Sequence, residues 1–117
     1  MIKRVNWLEV KVSNMKEAIS FYRDILGLKI KQEWSNYVIF DLPGTLTFAV
    51  MLGGKKGPKD VMPNVYFAVE RLDEEYEALK KKGVNFVEPP KKQYWGGYAA
   101  VFSDPDENLF YLTQVTD

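Results

Sequence analysis

The stretch PNVYFAV, Pro63 to Val69, decides how the chain is read. Its larger apolar residues, Val65, Phe67 and Val69, fall on alternate positions. Asn64, Tyr66 and Ala68 therefore point the other way, as in a strand with one buried face. The same rhythm occurs near the N-terminus in VNWLEVKV, residues 5–12. There Leu8, Val10 and Val12 share one face, and Trp7, Glu9 and Lys11 the other. Strict alternation predicts strands around residues 4–13 and 63–70.

A helical pattern follows each strand. In the first, Asn14 is placed to cap the helix and Glu17 stands three residues on, the spacing of a capping box. Met15, Ala18, Ile19, Tyr22 and Ile25 form an apolar stripe, and Gly27 ends it. In the second, Leu72, Tyr76 and Leu79 make the stripe. Asp73, Glu74 and Glu75 lie in its first turn and Lys80, Lys81 and Lys82 in its last, the order the helix dipole favours. Gly83 ends this helix.

Three strand patterns follow each helix. LKIKQEW, NYVIFDL and TLTFAVML come after the first, with Pro43-Gly44 as a turn signal. VNFVE, YAAVFS and LFYLTQV come after the second, with DPDEN as the turn. The chain thus aligns with itself, Val12 on Val69, Glu17 on Glu74, Gly27 near Gly83 and Pro43 near Pro105. A unit of this length found twice predicts a pseudo-symmetric domain rather than a solenoid. The expected organisation is a module over 1–53, a linker over 54–62 and a module over 63–117. The second module carries extra residues at KKQYWGG, read as a loop.

Composition excludes several functions. The 117 residues fit one domain and include no cysteine and no histidine. Thiol catalysis, disulfides and Cys-based zinc sites are therefore excluded. So are the commonest metal ligand and the usual acid/base group at neutral pH. Sixteen basic residues balance sixteen acidic ones, which gives no support for nucleic acid or a membrane surface as partner. No apolar stretch approaches the roughly 20 residues that span a bilayer. The N-terminus enters a strand pattern at once and shows no signal-peptide core. The expectation is a cytoplasmic protein.

VSNMKEAISFYRDILGLK, VERLDEEYEALKKKGVNFVEPP, WGG and FSDPDENLFYLTQ together resemble the glyoxalase/bleomycin-resistance/dioxygenase family, the vicinal oxygen chelate superfamily. The resemblance covers nearly the whole chain. It implies an α+β fold of two tandem βαβββ modules, a mixed sheet curled around a cup and helices on the outside. Leu8, Val10 and Val12, with Val65, Phe67 and Val69, are then expected under the helices, and Trp7 and Asn64 toward the cup. A homodimer is also expected on this resemblance.

Metal-dependent members of the family take ligands from each module's first and last strands, usually His, Glu or Gln. Carried over by motif, these positions fall on Trp7, Asn64 and Tyr111, and the repeat alignment makes Phe48 the first-module equivalent of Tyr111. Trp and Phe offer a metal no lone pair, Asn64 only a weak amide oxygen, and Tyr111 only a phenol that must first lose its proton. A catalytic metal normally needs about three good ligands. No metal, no cofactor and no catalytic residue are therefore assigned.

The candidate ligand-binding residues are Trp7, Glu9, Phe48, Asn64, Tyr66, Trp95, Tyr98 and Tyr111. An aromatic cup could stack on a flat or apolar ligand, or the same rings could simply fill it. Glu9 could accept a ligand hydrogen bond or act as a base; alternatively it pairs with Lys11. Trp95, beside two glycines, is a mobile lip or a loop anchor. The leading expectation is a metal-free small-molecule binder of this family. The alternatives are a metal-independent isomerase or lyase using Glu9 or a tyrosine, and a dimerising structural domain with a filled cup. Elemental analysis after dialysis should find well under one divalent metal per chain. Stoichiometric metal surviving dialysis would contradict the assignment.

Overall fold

The structure, a computed structural model, describes residues 1–44, 46–58, 63 and 65–115. It contains two compact units, Met1–Lys56 and Gly57–Asp117. Each is a helix against one face of a four-stranded mixed sheet, so the fold is α+β.

In the first unit the strands are β1 (Trp7–Val12), β2 (Lys29–Trp34), β3 (Tyr37–Asp41) and β4 (Thr47–Leu52). Their order across the sheet is β1-β4-β3-β2, with β1 parallel to β4 and the other pairs antiparallel. Between β1 and β2 runs α1 (Met15–Ile19), which widens into a π-helical segment, Ser20–Ile25. The Asn14 side chain accepts the Glu17 N–H at 2.9 Å, one half of the expected capping box. The other half is absent, because the Glu17 carboxylate pairs with Lys56 instead. Leu26 N–H reaches back to the Phe21 carbonyl at 2.9 Å, the five-residue span of a π turn. The wider turn accompanies burial of two consecutive aromatics, Phe21 and Tyr22. Tyr22 packs on Phe40 and Phe48, with ring centres 5.8 and 5.7 Å away.

The second unit repeats the plan with β5 (Tyr66–Val69), α2 (Leu72–Lys81), β6 (Asn85–Lys92), β7 (Tyr98–Ser103) and β8 (Leu109–Gln114). The order is β5-β8-β7-β6. Leu72 and Leu79 of α2 are buried, and Tyr76 meets Phe86 edge-on at 4.6 Å. Phe67 packs on Phe102 and Phe110 on this helix-covered face. Arg71 offers α2 no side-chain cap; the Gln114 amide oxygen accepts the Leu72 N–H at 3.0 Å instead.

β6 runs four residues beyond the expected VNFVE strand, through Pro89 and Pro90. It is an edge strand, where a residue without an N–H is tolerated. The register slips between Phe86 and Glu88 and, at the matching place in the first unit, between Ile30 and Gln32. Each slip is a bulge that turns the following side chains onto the opposite face. At the end of β1, Gly53 and Gly54 both donate to the Val12 carbonyl, at 2.9 and 3.0 Å. A Cβ on Gly54 would lie 2.8 Å from the Lys11 carbonyl, so only glycine fits there.

The DPDEN turn is built on Asp104, which is buried. Its Oδ1 accepts the N–H groups of Asp106 and Asn108 at 2.9 and 2.8 Å, and its Oδ2 accepts the Asn108 amide at 2.8 Å. The turn carries Glu107 in the left-handed region at φ 64°. Asp104→Ala removes that acceptor and orphans those donors. It should cost about 1.5–3 kcal/mol in a denaturant melt, and a change under 0.5 kcal/mol would contradict this role.

Candidate functional site

The sheet faces turned away from the helices carry the candidate site residues. In the first unit, register places Glu9, Ala49, Ile39 and Gln32 in one row across that open face. Trp34 stands opposite Tyr37 one row along. Trp7 Nε1–H donates to the Tyr37 hydroxyl at 2.6 Å, and that hydroxyl donates to Glu9 Oε1 at 3.1 Å. The rings of Trp34 and Tyr37 lie 6.1 Å apart. Trp7 and Trp34 are 44% and 47% exposed, whereas Ala49 and Ile39 between them are buried, so the exposed part of this face is its aromatic border. Burial, outweighing the Trp7 hydrogen bond, raises the Tyr37 pKa above the usual phenol value, and Glu9 adds to the rise. The group is a neutral donor at physiological pH.

In the second unit the equivalent row is Tyr66, Tyr111, Val101 and Glu88. Tyr66 and Tyr111 stack with ring centres 4.7 Å apart and planes 16° from parallel. Trp95 stands edge-on to both, at 5.8 and 5.9 Å. Such pairs contribute about 0.5–1.5 kcal/mol beyond burial. Tyr111 is buried with Ala99 and Val101, whereas Tyr66 is 54% and Trp95 41% exposed. Glu88 lies at the end of the row with Lys91 Nζ 3.4 Å from its Oε1. The Tyr111 pKa is raised, chiefly by burial and then by Tyr66 and Glu88.

Trp7, Glu9, Tyr66, Trp95 and Tyr111 thus lie on open sheet faces. Two expected residues do not. Phe48 stands opposite Leu8 and packs on Tyr22, on the helix-covered face. Pairing Val12 with Leu52 and Val69 with Gln114 makes Ala49, not Phe48, the counterpart of Tyr111. Tyr98 also turns toward the helix and donates to Asp73 of α2 at 2.6 Å. Asn64 lies outside the described residues. Tyr37 and Glu88 were missed as site residues. Alternation in NYVIFDL, with Val38 and Phe40 on one side and Tyr37 and Ile39 on the other, was the available signal for Tyr37. Glu88 depends on a bulge that alternation does not reveal.

A model of the Glyoxalase/Bleomycin resistance protein/Dioxygenase superfamily matches residues 4–112. The chain belongs to that superfamily. Uncharacterized protein YraH of Bacillus subtilis is 31% identical over 119 residues, covering 90% of this chain and 93% of its own. The metallothiol transferase FosB of Staphylococcus haemolyticus is 31% identical over 118 residues, covering 96% and 84%. Among solved structures, a superfamily member from Sphaerobacter thermophilus superposes with TM-score 0.78 at 29% identity, covering 97% and 98%. TnmS3, an antibiotic binding protein from a Streptomyces species, superposes with TM-score 0.80 at 23% identity, covering 98% of each chain.

Among the described residues, the side chains at the expected ligand positions do not fit a catalytic metal. Trp7 offers an N–H already given to Tyr37, Ala49 offers a methyl group, and Tyr111 holds its proton. Among the described residues no three His, Cys, Asp or Glu converge.

Trp95 rests where a Cβ on Gly97 would fall, 1.9 Å from its ring. Gly97→Ala should therefore push the indole off Tyr66 and Tyr111, changing near-UV circular dichroism and tryptophan emission. Unchanged spectra would contradict the placement of Trp95.

Proposed function

We propose that the chain is a metal-free binder of planar aromatic or amphipathic small molecules. The observation that carries this reading is the Tyr66–Tyr111 stack bordered by Trp95, with Tyr66 and Trp95 about half exposed. Large aromatic surface in contact with water is costly, and a flat ligand laid on it removes that surface from water while keeping π contacts. The Tyr66 phenol supplies a polar handle to orient such a ligand. The donor set supports binding over metal catalysis, the distinction drawn by the names of TnmS3 and FosB. A second copy of the chain is the expected macromolecular partner, on the family resemblance.

A fluorescent planar aromatic probe should bind the unmutated protein saturably. Tyr66→Ala and Trp95→Ala should each weaken it at least tenfold, equivalent to about 1.4 kcal/mol. Trp7 is exposed, so Trp7→Ala should cost only about 1 kcal/mol of stability, rather than the roughly 3–5 kcal/mol of a core tryptophan. Failure of every planar probe to bind, or equal binding by the Tyr66 and Trp95 variants, would contradict the reading.

A further inference from the structure

The open face of the first unit carries a chemically different cluster from the second. Its two tethered donors are both spent inward, Trp7 Nε1–H on Tyr37 and the Tyr37 hydroxyl on Glu9. The Glu9 carboxylate is exposed. It accepts no other hydrogen bond and makes no ion pair among the described residues, so Oε2 is left to a ligand. The half-buried Tyr37 that reaches this carboxylate also holds the exposed Trp7 indole by a hydrogen bond and meets the exposed Trp34 ring at 6.1 Å. A carboxylate that shares a cluster with exposed aromatic rings attracts an organic cation through both charge and the ring quadrupoles.

We infer that Trp7, Glu9, Trp34 and Tyr37 form a recognition site for an alkylammonium group carried by a small molecule. This deepens the small-molecule-binding reading and rests on it. The hydrogen-bond chain has a specific role here. It holds the Trp7 indole and the Glu9 carboxylate to one phenol, so the cation meets an ordered site. An anion finds neither tethered donor free. Lys11 shares this strand face two residues from Glu9 and opposes the effect, so the charge preference must be measured against a neutral twin.

The test compares benzyltrimethylammonium with neopentylbenzene, its uncharged isostere, and with benzenesulfonate, by tryptophan fluorescence and calorimetry. The cation should bind at least tenfold tighter than the neutral twin, and the sulfonate weakest. Glu9→Gln should erase the difference between cation and twin while the melting temperature holds. Tyr37→Phe breaks the tether and should reduce the cation preference while leaving Glu9 charged. Equal binding of cation and twin, or a preference that survives Glu9→Gln, overturns the inference. Should planar probes bind through Tyr66 and Trp95 without any cation preference, this inference alone fails. Should no aromatic probe of any charge bind, the small-molecule reading fails with it.

Discussion

Each strand residue must choose between a face covered by a helix and a face that is not, and a one-residue bulge reverses the choice. The two units use that constraint at the same place. Between Ile30 and Gln32, and between Phe86 and Glu88, the register slips. Before the slip, Ile30 and Phe86 stand opposite Phe40 and Phe102, whose rings belong to the helix-covered layer. After it, Trp34 and Glu88 join the open faces. Without the bulges a strict period of two would carry Gln32, Trp34 and Glu88 to the helix side. Two of the three would then be polar groups buried under an aromatic layer. The bulges let one strand serve the helix-covered face at one end and the open face at the other.

The two open faces repeat the same geometry with different chemistry. Glu9 and Tyr66 occupy equivalent places, as do Ala49 and Tyr111, and Gln32 and Glu88. In the second unit, tyrosines at the first two places stack directly. In the first, the alanine stands between Glu9 and Ile39 in the row, and the bonded chain runs from Trp7 through the Tyr37 phenol to Glu9. One surface is therefore a flat stacking platform and the other a polar chain framed by rings. Among the described residues, no three His, Cys, Asp or Glu come together on either surface.

Much of this was legible in the sequence, because period and punctuation are local. Alternation in VNWLEVKV and PNVYFAV set the faces of Trp7, Glu9 and Tyr66. Asn14, Gly27, Gly83 and the DPDEN turn marked element ends that the structure shares. The family followed from motifs in their order along the chain. Phe48 lies one residue from the true counterpart of Tyr111, and in a strand one residue is a whole face. Tyr98 was misplaced for a related reason. Its parity with Ala100 and Phe102 already puts it on the helix-covered face, and the hydrogen bond to Asp73 of α2 places it there. Tyr37 was not seen as the centre of the first site, since its importance lies in where its hydroxyl ends, beyond the reach of strand parity.

The tryptophan indole N–H groups give the most direct test, because Trp7, Trp34 and Trp95 all belong to the open faces. A proton–nitrogen correlation spectrum of labelled protein resolves one signal for each. A planar aromatic ligand should move the Trp95 indole signal in a saturable way and leave the amides of Ala18 and Leu79, buried residues of the two helices, where they were. Zinc should move none of the three. Saturable, stoichiometric shifts on adding zinc, with no response to any aromatic ligand, would contradict a metal-free aromatic binding surface.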